Sequence, residues 1–275
     1  MQLTDSDRKK VQKKEIEILS EFDRLCKEYH IKYTLAGGTM LGAVRHKGFI
    51  PWDDDIDVYV LRDDFIKIRK IFPKKLSSQY FYQYQKTDND YYYPFDKIRM
   101  NNTIFEETFL SNHNINHGVF IDVFPIDAIP NNKIKRSVHY LHYRLLRIGL
   151  MSKYININAR KGKKKMAARF ARMMFKFYPI KRLYDNCDAL ASKYVDNIDN
   201  VKQVRNLNSV GSDGARETYN LEDFLELKVT PFEGKTFLIS KNCDEMLKKE
   251  YGDYMKLPPV SERTTRHELV HVKLD

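Results

Sequence analysis

The chain has 275 residues, 42% of them hydrophobic and 31% charged, with a mean hydropathy of −0.59; it can bury a core without disulfide or metal staples and is too polar for a membrane-spanning bundle. Cys26, Cys187 and Cys243 lie far apart with no CxxC spacing, which argues against a disulfide framework or a thiolate zinc site and fits reduced thiols. The net charge of +11 is concentrated: residues 128–184 hold sixteen Lys and Arg and no Asp or Glu, and the remainder carries 32 basic against 37 acidic residues.

The opening MQLTDSDRKK lacks the apolar core of a secretory signal, so the expected compartment is the cytoplasm. Thr4 and Asp7 have capping-box spacing, and Val11, Ile18, Phe22, Leu25 and Tyr29 continue a helical stripe. Lys32 to Ala36 reads as a strand, Gly37-Gly38 as a turn, and Thr39 to His46 as a helix with Thr39 as its N-cap. Asp55 to Leu61 alternates like a strand and Asp63 to Phe72 returns to helical spacing. Aromatic-rich stretches at Tyr80 to Gln85, Tyr92 to Met100 and Thr103 to Glu106 suggest more strands, and Val119 to Phe124 reads as a buried one. Lys133 to Tyr184 is helical, broken by an exposed Arg160 to Lys165 loop. Thr236 to Ile239 suggests a strand, Asn242 to Lys249 a helix, and Pro258-Pro259 the end of regular structure. A mixed sheet of four to six strands results, with residues 1–130 as a catalytic core, 131–190 as a basic helical insertion or subdomain, and 191–275 completing the core.

The chemistry concentrates in Trp52-Asp53-Asp54-Asp55-Ile56-Asp57-Val58-Tyr59-Val60. On a strand, Asp55 and Asp57 share one face while Ile56, Val58 and Val60 share the other. Two carboxylates about 5 Å apart repel by roughly 3 kcal/mol at an effective dielectric near 20. Such a pair needs good solvation, a shared proton or a cation, and hard oxygens suit Mg²⁺ or Mn²⁺. The bland alternative, an acidic helix start, is disfavoured by Ile-x-Val-x-Val. Asp122 is the one polar member of Val119 to Phe124; it is either a third metal carboxylate or a salt bridge to a residue such as Arg99. Gly37-Gly38-Thr39 could admit a phosphate at a helix N-terminus, and Arg45, His46, Lys97 and Arg99 are candidate phosphate clamps. Gly42 inside its helix implies either close approach of a ligand or tight packing. His267-Glu268-Leu269-Val270-His271 satisfies HExxH, but with only four residues after His271 it reads as a polar tail rather than a zinc site.

Tyr33 to Val60, His117 to Asp127 and Tyr251 to Pro259 together resemble the LicD family, whose members include bacterial phosphocholine transferases and, more distantly, fukutin-type ribitol-phosphate transferases. The resemblance implies an α+β, nucleotidyltransferase-like fold: a mixed β-sheet flanked by helices, with a glycine turn, an Asp-x-Asp strand and a third acidic residue. Gly37-Gly38, Asp55/Asp57 and Asp122 match those places, although the Gly38-to-Asp55 gap is longer than usual. The implied activity is transfer of a phospho-alcohol, foremost phosphocholine, from a CDP-activated donor such as CDP-choline to a sugar hydroxyl, releasing CMP. Asp55, Asp57 and Asp122 would hold Mg²⁺ or Mn²⁺, and Gly37, Gly38, Thr39, Arg45, Lys97 and Arg99 would steady the phosphates.

Met166, Phe170, Met173, Met174 and Phe177 project as one stripe flanked by Arg169, Arg172 and Lys176. That is the form of an interfacial helix on an anionic inner leaflet, suited to a lipid-linked glycan or teichoic-acid precursor as acceptor; a core-facing helix with solvated arginines is the alternative. Two other functions compete. A nucleotidyltransferase releasing pyrophosphate would use the same carboxylates. A nucleic-acid binder would fit a sequence pI near 9.3 but leave the acidic cluster unexplained, so no nucleic acid is expected.

Overall fold

A computed structural model describes residues 3–208, 216–265 and 267–274. Helix α1 (Asp5–Glu28) starts where the capping box places it. Thr4 Oγ1 accepts the Asp7 N–H at 3.1 Å and donates to the Asp7 carboxylate at 2.7 Å, and the stripe through Val11, Ile18, Phe22 and Leu25 is buried against the sheet. There follow β1 (Thr34–Leu35), α2 (Gly37–Arg45), β2 (Asp57–Leu61), α3 (Arg62–Lys75), β3 (Tyr80–Gln83), β4 (Asp96–Met100), β5 (Ile104–Glu107) and β6 (Phe120–Ala128). The basic segment forms α4 (Lys133–Tyr154), α5 (Gly162–Met174) and α6 (Ile180–Ala191). The chain returns through β7 (Gln203–Arg205), β8 (Thr218–Asn220), α7 (Glu222–Leu225), β9 (Leu227–Phe232), β10 (Lys235–Ser240), α8 (Cys243–Tyr251) and β11 (Leu269–Lys273).

The architecture is the expected α+β one. The main sheet runs β1-β2-β6-β4-β3, extended by β7 on β6 and β8 on β7; β9–β10 and β5–β11 are separate two-stranded ladders. Among the described residues only β2 and β6 pair in parallel, setting Asp57 opposite Asp122. The antiparallel β4–β6 pair sets Lys97 opposite the same Asp122. Seven strands exceed the four to six expected because β7 and β8 are three residues long, too short for a period of two to show. Regular structure also resumes after Pro258-Pro259, since β11 completes an edge ladder with β5.

Local boundaries shift for physical reasons. Helix α2 begins at Gly37 with Ala36 as N-cap, not at Thr39; the Thr39 hydroxyl accepts the Asp57 N–H at 2.9 Å and ties α2 to β2. Helix α5 begins at Gly162, so Lys163, Lys164 and Lys165 occupy its first turn rather than a loop. Gly42 is a packing position: a Cβ there would stand 2.4 Å from the Gly48 carbonyl oxygen, so the residue lets the 47–50 loop lie against α2.

Apolar burial falls into two clusters. The larger joins the sheet to α1, α2, α3 and α8; the second lies between α4 and α6 around Tyr143, Leu150, Tyr154, Leu183 and Cys187. A buried ionic junction links them. Arg62 pairs with Asp127 at 2.6 Å and Asp188 at 3.2 Å, while Arg69 pairs with Asp96 at 2.7 Å and Asp188 at 3.1 Å. Asp188 of α6 is thus shared by two arginines of α3. The three cysteines are free and buried.

Candidate active site

The start of α2 and the starts of β2 and β6 converge, because the parallel β2–β6 register and the Thr39–Asp57 bond leave no slack. Gly37 has φ +47°, a left-handed conformation open chiefly to glycine, and a Cβ there would lie 3.4 Å from Asp57 Oδ2 and 3.6 Å from the Tyr251 hydroxyl. A Cβ on Gly38 would come within 2.7 Å of Asp53 Oδ2. The glycine pair therefore lets the carboxylates of Asp53 and Asp57 close on the positive end of α2.

Asp53, Asp54 and Asp55 bring carboxylate oxygens within 4.8 Å of one another. Asp57 adjoins this set and faces Asp122 across the strand pair. Asp55, Asp57 and Asp122 are thus gathered at one end of the sheet, but among the described residues the tightest group is the consecutive run 53–55. Asp55, just before β2, makes no hydrogen bond or close ion pair among the described residues. Burial, then the charges of Asp55, Asp122 and Asp53, push the Asp57 carboxyl well above the ordinary range, with Lys97 opposing. Burial also raises Asp122 against the pull of Lys97, whose Nζ lies 2.7 Å from Asp122 Oδ1.

Lys97 and Arg99 share a face as their spacing requires, and both are fully buried. Lys97 Nζ sits 3.2 Å above the centre of the Phe120 ring and 3.6 Å from Glu107. Arg99 donates to Gln83 Oε1 at 2.6 Å and the Gly118 carbonyl at 2.8 Å. The salt-bridge partner of Asp122 is therefore Lys97 rather than Arg99, and Arg99 braces the layer behind. Arg45 stands at the far end of α2, about 12 Å of helix rise from Gly37, donating to His46 Nε2 and the Tyr254 carbonyl.

Two groups enter the cluster from distant sequence. Glu15 of α1 is buried and raised well above the ordinary range by burial and by Asp55 and Asp54. His267 places Nδ1 3.2 Å from Asp54 Oδ1 and Nε2 3.9 Å from Glu107. Burial works against its charge, but the Asp54 hydrogen bond and the charges of Asp55 and Glu107 prevail and raise it to about 10. The HELVH segment is thus no polar tail: His267 is a partly buried cation of the site. His271 lies on strand β11 and is exposed, so the motif lacks the helix that zinc ligation requires.

Acidic oxygens at one end of the sheet, the glycine-opened start of α2 and a lysine counter-ion thus stand together. Residues 30–148 match the family model described as the LicD/FKTN/FKRP nucleotidyltransferase domain. Over 260 residues, 92% of either chain, the protein is 30% identical to the lipopolysaccharide cholinephosphotransferase LicD of Haemophilus influenzae. The chain belongs to the LicD family. Shorter matches join it to uncharacterised proteins of Rickettsia prowazekii, 36% identical over 26% of this chain and 27% of the relative, and of Rickettsia typhi, 40% identical over 21% and 19%. In this LicD-family chain the matched domain spans Gly37-Gly38, the 53–57 run, Lys97, Glu107 and Asp122, whereas Glu15 and His267 fall on either side of it. Glu15 was detectable in the sequence as an acid four residues from Val11 and three from Ile18 on the apolar face of α1; nothing local marked the partners of His267.

Proposed function

We propose that this protein is a metal-dependent phospho-alcohol transferase, moving phosphocholine from CDP-choline to a sugar hydroxyl of a lipid-linked cell-surface glycan or teichoic-acid precursor. The observation that carries the reading is the carboxylate cluster closed against the N-terminus of α2. The residues present fit a divalent cation: Asp54 Oδ2 and Glu15 Oε2 are buried without a hydrogen-bond partner among the described residues, and burial, then repulsion from Asp55, Asp122 and Asp53, raises Asp57. Asp55, Asp57 and Asp122 would hold Mg²⁺ or Mn²⁺, which when bound would offset the charge of the pyrophosphate and of departing CMP.

The protein's own groups then have defined tasks. First-turn N–H groups at Gly37, Gly38 and Thr39 orient donor phosphate oxygens. Lys97 opposes the protonation that burial favours at Asp122 and aims its carboxylate, Arg99 holds that layer rigid, and Arg45 adds positive charge at the far end of α2. The acceptor oxygen bonds to the β-phosphorus as its bond to the CMP oxygen breaks, and Asp122 either completes the carboxylate set or takes the acceptor proton. A groove of about 720 Å³ of mixed charge, lined by Lys9, Lys13, Glu17, Phe49, Glu233 and Lys235, adjoins the cluster through Gln12, whose Nε2 donates to the Asp53 carbonyl at 2.9 Å, and offers room for the acceptor. The cytoplasmic face of the membrane is the proposed place of action, with no nucleic acid as partner.

The test is incubation with CDP-choline, CDP-ribitol and CDP-glycerol, each with Mg²⁺ and a glycan acceptor, following CMP. Release of CMP with CDP-choline, abolished by EDTA and by Asp55→Asn/Asp57→Asn, is the expected result. Pyrophosphate release from a nucleoside triphosphate instead would reassign the protein to nucleotidyl transfer, and turnover insensitive to EDTA would refute the metal.

A further inference from the structure

We infer that the exposed faces of α4 and α5 form one docking surface for an anionic lipid bilayer. The inference deepens the membrane placement proposed above and needs none of the transferase chemistry.

On α4, Ile134, Val138, Leu141, Leu145 and Ile148 recur at intervals of four, three, four and three, making a single stripe about 21 Å long. The opposite side buries His139, Tyr143, Leu150 and Tyr154. On and just beyond α5, Met166, Phe170, Met173, Met174 and Phe177 form the second stripe. All ten side chains are between 42% and 92% exposed. Scattered apolar residues on a surface mean nothing, but ten on two packed helices exceed what a solvated face carries, and the core-facing alternative for α5 is excluded by their exposure.

The two helices are locked together. Arg172 of α5 donates to the carbonyls of Ser152 at 2.7 Å and Ile155 at 3.1 Å, satisfying the end of α4. Lys153 of α4 returns the bond to the carbonyls of Phe175 at 3.1 Å and Lys176 at 3.2 Å. Gly149 makes the approach possible: a Cβ there would stand 2.8 Å from the Phe175 ring. Arg172 is therefore a structural clamp, not a free surface charge.

Charge selects the occupant. Exposed Lys133, Lys135, Arg144, Lys163, Lys164 and Arg169 lie on these helices and Lys176 just beyond α5, and neither helix has an acid in its first turn. Lysines at the positive end of a helix are unfavourable in isolation; an anionic surface reverses that penalty. A second copy of the chain would set these cations against themselves in a self-complementary contact. No helix among the described residues is long and apolar enough to cross a membrane, so the stripes suit the headgroup boundary.

The experiment is sedimentation of the full chain with vesicles of phosphatidylcholine alone or mixed with phosphatidylglycerol, with no substrate present, so that its failure leaves the transferase reading untouched. The protein is expected to pellet with the anionic vesicles and stay in solution with the neutral ones. Lys163→Gln/Lys164→Gln should weaken partitioning about thirtyfold, at about fivefold per basic residue. Leu141→Ser/Leu145→Ser should weaken it about tenfold or more with every charge intact, and both pairs should melt like the wild type. Equal binding to neutral vesicles, or wild-type binding by either variant, overturns the inference. Absence of vesicle binding together with a dimer that Leu141→Ser/Leu145→Ser dissociates assigns the face to a second copy instead.

Discussion

Replacing Arg62 by methionine removes one charge from the junction between sheet and helical segment while keeping an unbranched side chain of similar reach. Arg62 is 2% exposed and Asp127 fully buried; the pair meets at 2.6 Å, and Asp127 Oδ2 has no other hydrogen-bond partner among the described residues. Removing one partner strands the other, which costs about 3–5 kcal/mol. In a chain of this size that corresponds to a fall in Tm of about 6–20 °C. The pH dependence carries a sign. Burial, opposed by Arg62, already raises Asp127 to about 6, so the folded state binds the proton more tightly and this group's contribution falls as pH rises from about 4 to about 6. Without Arg62 the pKa moves higher and the loss extends to higher pH, so the variant's deficit should be smaller near pH 5 than near pH 8. Urea unfolding of the wild type, Arg62→Met, Asp127→Asn and the double variant measures the coupling. Recovery of half or more of the deficit in the double variant is expected. A single-variant loss under about 1 kcal/mol, or no recovery, would refute the reasoning.

Gly37→Ala forces a left-handed residue beside Asp57 and should cost about 1–2 kcal/mol while lowering kcat for CMP release, with both effects absent if the glycine is merely permissive. Asp57→Asn should reduce CMP release by about a hundredfold or more without loss of stability, since it removes a charge that burial and the repulsion of its acidic neighbours already disfavour; an active Asp57→Asn enzyme removes that carboxylate from the chemistry. His267→Gln should destabilise by about 3 kcal/mol by leaving the buried Asp54 without its cation, and should tighten Mn²⁺ binding measured by calorimetry, because the cluster loses its competing cation. Glu250, raised to about 7 by burial despite the Tyr219 hydrogen bond, costs stability as pH climbs from about 4.5 to about 7; Glu250→Gln should flatten Tm over that window by up to about 3 kcal/mol of linked free energy.

What the sequence reveals follows the range of the interaction concerned. The Thr4 cap, the stripe of α1, the alternation of β2 and the pairing of Lys97 with Arg99 on one face depend on neighbours within a few residues, and their residue types show it. Asp122 was conspicuous as a lone charge in an apolar run, but choosing Lys97 over Arg99 as its partner required the β4–β6 register, which no local pattern specifies. Strands β7 and β8 have three residues each, β7 pairing with β6 and β8 with β7, so only tertiary context makes them strands. His267 reaches Asp54 across 213 positions of chain, and its motif pointed to zinc chemistry that a β-strand cannot perform.

The same contrast explains the basic segment. A count of charges along residues 128–184 located a strongly basic region, and helical projection found the α5 stripe, because both properties are local. The α4 stripe was hidden: Ile134, Val138, Leu141, Leu145 and Ile148 have the spacing of a core face, and Tyr143, Leu150 and Tyr154 offer a competing one on the same helix. Only the placement of α6 decides which face is covered, since α6 packs on the tyrosine side and leaves the aliphatic side to solvent. An apolar stripe that its own fold declines to bury, on a helix whose first turn carries only positive charge, indicates selection for a contact outside the chain, because folding alone gains nothing from either feature.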